Sequence, residues 1–292
     1  MFNQANDRIE ELRQAGLARV RAEDYEQALA IYDEALALAQ DEEQRELLVI
    51  NKADVLIALD RSGAEVQQLP TILMRRRNPH HVFLAAYALM YKHRLRQETK
   101  RAIFYGEIAL DTANESDQPF WKLAAHNDLG INYEIDSQFE RAIECFEQAL
   151  ALIDAVSATE QQFGRAAIVG NLGYNKLLVG ETAEGIRLIE SVLDAFREGT
   201  LAEAYIDLCY GYVDLSEYVR ARSCGELGLA LAADPRQTRN AHYLLGEVAY
   251  KLGDVEQAEF HFEQLAKFYP QFRNLKSLLF AIDLRGMVNL KL

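Results

Sequence analysis

The sequence predicts an all-α chain, a solenoid of about seven antiparallel helical hairpins closed by a C-terminal helix. Three observations lead there. A small residue recurs along the chain, followed twelve positions later by a second small residue and four after that by a bulky apolar one. Short runs carrying Gly, Asp, Ser and Glu (RAEDY, DSQF, VGET, LSEY, LGDV) separate segments of helical apolar periodicity, as helix-to-helix turns require. Strand-like alternation of useful length is absent before the terminal MVNLKL.

In chain order, the first hairpin carries Gly16, Ala28 and Tyr32 at the three positions. A degenerate copy follows on Ala53, where Glu65 and Leu69 occupy the small and bulky places. Met90 anchors the third copy with Ala102, and Gly130 the fourth with Ala142 and Phe146. Gly173 leads to Gly185 and Ile189, Cys209 to Ala221, and Gly246 to Ala258 and Phe262. These anchors place repeats at about 9–44, 46–78, 80–116, 119–156, 160–198, 200–234 and 236–270. Paired small residues let two antiparallel helices approach closely, and the bulky residue one turn further fills the gap to the next pair. Pro79, Pro119, Pro235 and Pro270 fall at junctions, where a proline stops one helix or opens the next. Pro70 falls elsewhere and should begin or kink the second helix of the degenerate copy. In segment 271–292, Phe272, Leu275, Leu279 and Ile282 form one stripe, predicting a capping helix followed by an apolar tail. That tail either lies on the last repeat or pairs with another molecule.

Composition bounds the function. Half of the 292 residues are hydrophobic and 26% charged, which excludes a disordered or collagen-like chain. Cys145, Cys209 and Cys224 form no CxxC pair and read as reduced thiols of a soluble, cytoplasmic protein, with no apolar window long enough to span a bilayer. The net charge is −14, yet eight basic residues and one acid lie between Arg75 and Arg101. An acidic whole argues against general affinity for nucleic acid. No phosphate loop, GxSxG elbow, HExxH or calcium loop is present, so the chain reads as non-catalytic, with no cofactor. His126 and His242 occupy packing positions four residues before their anchors. His80 and His81 follow Asn78-Pro79 at a helix start. With no partner at ligand spacing, none of the four points to a metal.

The pattern resembles the tetratricopeptide repeat, in which Leu-Gly precedes an aromatic, then Ala-x3-Phe, then Pro. The resemblance covers nearly the whole chain and implies a right-handed superhelix whose first helices line a concave groove. Carried onto this sequence, the lining positions are Asn51 and Asp54; Tyr87, Tyr91 and Arg94; Asn127 and Asp128; Asn171 and Tyr174; Glu203, Asp207 and Tyr210; and Asn240, Tyr243 and Glu247. Asparagine amides both donate to and accept from a peptide backbone, and tyrosines give rigid contact area. The acids Asp128, Glu203, Asp207 and Glu247 favour basic side chains in a guest.

One subset of the family grips the C-terminal carboxylate of heat-shock chaperones with a basic clamp. Arg13 and Asn51 match that clamp, but Leu17, Leu84 and Ala88 do not, so that function is rejected. The expected function is a scaffold binding a peptide or helix of another protein in its groove. The alternative is a peptide-responsive regulator similar to pheromone receptors of this family. Those receptors usually carry a preceding effector segment, for which a first repeat starting near residue 9 leaves no room. A third reading puts nucleic acid or an acidic partner on Arg75, Arg76, Arg77, Lys92, Arg96, Lys100 and Arg101, although no aromatic residues interleave the arginines for base stacking. Self-association through the C-terminal tail is a further expectation.

Overall fold

The computed structural model describes residues 2–156, 158–196 and 198–268. They form fourteen α-helices and two short 3₁₀ turns, with no strand among the described residues. The helices are α1 (Phe2–Arg21), α2 (Tyr25–Leu38), α3 (Glu42–Ala58), α4 (Ala64–Arg75), α5 (Pro79–Leu95), α6 (Thr99–Asn114) and α7 (Pro119–Ile135). They continue as α8 (Phe139–Leu152), α9 (Ala158–Leu178), α10 (Thr182–Glu190), α11 (Glu198–Asp214), α12 (Tyr218–Leu231), α13 (Pro235–Lys251) and α14 (Val255–Phe268). The expected capping helix and tail, 271–292, lie outside the described residues.

All seven anchors are followed, seven residues later, by a left-handed backbone position. These are Glu23, Asp60, Gln97, Ser137, Gly180, Ser216 and Gly253, with φ between 49° and 86°. At each, the next residue's N–H reaches back five residues to a carbonyl of the first helix, as Asp24 does to Arg19 (2.9 Å) and Glu181 to Lys176 (2.8 Å). This satisfies carbonyls that the helix end would leave open and aims the chain into the second helix. Only two of the seven positions carry glycine, the residue that adopts this conformation without strain.

The anchors work by size complementarity. A β-carbon on Gly173 would stand 2.7 Å from Ile189 Cγ1, so the bulky residue of the second helix fills the space the glycine leaves. Where the anchor is larger, the partner shrinks. Met90 faces Gly106, and Cys209 faces Gly225, each with its sulfur 3.1 Å from where a β-carbon would lie.

The chain forms two compact units, Met1–Asn132 and Tyr133–Leu292. In the first, α1, α3 and α5 lie side by side, while α2 packs against α1 and α3, and α4 against α3 and α5. Its core holds Ala28, Tyr32, Leu48, Ala53 and Leu69, with Ala85 and Leu89 from α5. In the second, α9, α11 and α13 are neighbours, backed by α10 and α12, around Ile189, Ile206, Tyr212, Leu244 and Phe262. Asp41, Asn78 and Asp234 cap α3, α5 and α13 through their side chains, and Pro79 and Pro235 open their helices. Pro70 does not begin a helix. It lies within α4, which continues to Arg75 and ends on left-handed Arg76.

Candidate functional site

In Met1–Asn132 the first helices bring part of the expected lining together. Asp128, on α7, accepts a hydrogen bond from the Tyr87 hydroxyl and pairs with Arg94 at 2.7 Å. The Arg94 guanidinium stands 5.2 Å from the centre of the Tyr91 ring, so one α5 face and α7 share a single polar cluster. Burial, reinforced by Asp128, pushes the Tyr87 phenol well above its ordinary range and keeps it a donor. The expectation that Asp128 attracts a basic guest is corrected here, because Arg94 already neutralises it.

Of the expected lining amides in this unit, two keep an unsatisfied atom, as Gln44 and Asn132 do outside that lining. Asn51 Nδ2 and Asn127 Oδ1 are buried atoms with no hydrogen-bond partner, on half-buried residues of α3 and α7. One is a donor and the other an acceptor, the pair of groups that a peptide backbone presents in reverse. Asp54 lies one turn beyond Asn51 on the same face of α3 and is exposed.

In Tyr133–Leu292 the outcome differs. Tyr174 is wholly buried in the core cluster that includes Leu177, Ile186 and Ile189, so it packs the fold rather than meeting a guest. Asp207, Tyr210, Tyr243 and Glu247 are also buried, at 3, 7, 8 and 5% exposure, as is Asn240. Glu203 is held by Arg236 through two contacts of 2.6 and 2.8 Å, which uses its charge internally. Asn171 is half-buried, and its backbone carbonyl accepts from Asn175 Nδ2 at 2.8 Å. Helical phase put these residues on one stripe, but phase alone does not say whether protein or water covers it.

The basic segment is largely paired with acids brought by neighbouring helices. Arg75 and Arg77 both reach Glu42, at 3.3 and 2.6 Å. Arg76 reaches Glu115, Arg96 reaches Asp60 at 3.5 Å, and Arg101 reaches Glu98 at 2.8 Å. Lys92 is half-buried beside Arg96, and desolvation with that neighbouring charge lowers its ammonium. Lys100 is exposed at the start of α6. A run that reads as +7 in sequence therefore presents much less free charge to a polyanion.

The histidines are packing residues. His80 stacks on Trp121, which stacks on Phe83. His81 faces Glu46 at 2.9 Å. His126 is half-buried, and burial lowers its imidazole below the ordinary range. His242 Nδ1 lies 2.9 Å from His261 Nδ1, a pairing of α13 and α14 that spacing did not reveal. No group of three or more metal-ligating side chains forms among the described residues. Nor, among them, is any helix long and apolar enough to cross a membrane.

Family models of the tetratricopeptide repeat match residues 12–46 and 239–272. Solved structures extend the likeness along the chain. The apo form of RapI has a TM-score of 0.71 at 15% identity, over 97% of this chain and 84% of that one. The apo form of the quorum sensor NprR from B. thuringiensis gives 0.71 at 17%, over 97% and 83%. A Rap protein complexed with Competence and Sporulation Factor gives 0.65 at 15%, over 89% and 76%. At such identities the likeness is one of fold. No curated protein matches the sequence significantly.

Proposed function

Because this chain is a tetratricopeptide-repeat protein, we propose that it is a non-catalytic scaffold holding an extended peptide or helical segment of another protein. The guest lies on the inner face of α3, α5 and α7 within Met1–Asn132. The observation that carries this reading is the unsatisfied amide pair, Asn51 Nδ2 and Asn127 Oδ1. A buried amide atom without a partner costs the free chain about 1–3 kcal/mol, and a guest backbone recovers that loss. Tyr91 and the fixed Tyr87–Asp128–Arg94 cluster give the guest a rigid wall with little entropy to lose.

Affinity capture with the wild type beside an Asn51→Ala/Asn127→Ala variant tests the proposal. Loss of a specific protein from the variant, with its melting temperature unchanged or raised, is the expected result. Identical catches from the two proteins would move the interface elsewhere.

A second reading makes the guest a short signalling peptide and the scaffold its regulatory receptor. It is supported by the likeness to the quorum sensor NprR and to the Rap protein solved with Competence and Sporulation Factor. A cytoplasmic setting accords with the thiols of Cys209 and Cys224, which form no disulfide.

A further inference from the structure

A cavity of about 180 Å³ opens at the edge of Met1–Asn132, between the end of α3, the start of α4 and the end of α5. It uses none of the residues assigned to the guest face. Ile57 and Val66, both buried, and the exposed Leu95 give it an apolar wall. Arg61, Lys92 and Arg96 line the rest, with Asp60 as the one acid among them. A space of this size is comparable to one that takes in benzene, so it suits a guest of about six to nine heavy atoms.

The charges around the cavity do not cancel. Arg61 already pairs at 2.5 Å with Glu26, whose carboxylate is not part of the lining. Arg96 meets Asp60 at only 3.5 Å and through one nitrogen, which leaves its other donors open. Lys92 forms no ion pair or side-chain hydrogen bond with any described residue. Burial, then Arg96, lower its ammonium, Glu98 pulls the other way, and Arg101 adds to the lowering. Lys92 and Arg96 against Asp60 leave one net positive charge, on a lysine partly stripped of water and lacking a counter-ion. A metal ion would be repelled, and a dianion brings more charge than the lining neutralises. A single carboxylate matches it, accepting from the ammonium and from the open side of the Arg96 fork. Its carbon stem then covers the apolar wall.

We propose that this cavity binds a small aliphatic carboxylate, with Lys92 and Arg96 on the carboxylate and Ile57, Val66 and Leu95 around the stem. Such a ligand touches α3, α4 and α5 at once and ties the second hairpin to the third. The site stands apart from the guest face and does not need a bound peptide.

Isocaproate is the probe. Isohexyl alcohol supplies the stem without the charge, and acetate the charge without the stem. Each is used at about 10 mM and equal ionic strength, since millimolar affinity is within reach of a ligand of this size. Brief reductive methylation followed by peptide mass spectrometry reads the reactivity of each lysine in the wild-type chain. The expected result is that isocaproate slows labelling of Lys92 about fivefold and leaves Lys122 and Lys251 unchanged, while the alcohol and acetate have little effect. Uniform slowing at all lysines, no slowing at Lys92, or equal protection by the alcohol or by acetate would overturn the assignment. Thermal melting gives an independent readout, because a ligand that binds only the folded chain raises its melting temperature. Isocaproate should produce that rise in the wild type and not in Lys92→Met, and a rise that survives the substitution would place the acid elsewhere. The labelling needs no variant, so it decides the matter even where Lys92→Met folds poorly.

Discussion

Asn51, Asn127 and Tyr32 each keep a buried polar atom without a partner, the two asparagines on the first helices α3 and α7 and Tyr32 in the core on α2. Such atoms destabilise a free chain, so their replacement separates stability from binding. Asn127→Leu should raise the melting temperature or leave it unchanged while weakening guest capture. A melting temperature lowered by several degrees would show that the amide has a role within the fold. Asparagine at these places was legible from repeat register alone. The neutralisation of Asp128 was not, because its partner Arg94 lies on another helix 34 residues away, and only packing brings them together. Tyr174 was misread for the same reason. A tyrosine at an inner-face phase looks identical in sequence whether it lines a groove or fills a core.

At the scale of elements, register was the legible part. A left-handed residue seven positions after every anchor, even where glycine is missing, shows that the turn is imposed by the packing of two helices rather than by local preference. Gln97→Gly should therefore stabilise the chain by about 0.5–1 kcal/mol, and Gly180→Ala should destabilise it by about 1 kcal/mol, measured by urea unfolding. At Gly180 nothing lies within 4 Å of an added β-carbon, so that effect would be backbone strain alone.

The α13–α14 pair carries a pH dependence. Burial, His242 and Arg222 push His261 down to about 4, while burial and Lys267 lower His242. Both rings are harder to protonate folded than unfolded, so stability is full above the ordinary histidine range. It declines as pH falls from about 6.5 toward 4, because the unfolded chain binds the protons first. His261→Gln should flatten that decline in melts taken at pH 7 and pH 4.5, and an unchanged slope would assign it to other groups. This pair was not legible, since it depends on a contact that the repeat spacing leaves open. For Pro70 the sequence offered the start or the interior of the second helix, and the chain takes the interior.

For the whole molecule, the sequence announced a helical-hairpin array because the repeat is a packing rule written in side-chain size. It overstated the free charge, because Glu42, Asp60 and Glu115 come from other stretches of chain to meet the arginines, and Glu98 pairs with Arg101 within the segment. Titration with single-stranded oligonucleotides at 50 and 200 mM salt should show only weak binding. Tight binding with a steep salt slope would reinstate the basic segment as an interface.

The central claim is that the inner face of the first unit, and not its outer helices, meets the partner. Site-specific photo-cross-linking tests it most directly, with a benzophenone amino acid placed at position 51 or at position 74, where Met74 is 77% exposed on α4. The account predicts a discrete cross-linked partner from position 51 and none from position 74. A partner captured from position 74 alone would contradict it.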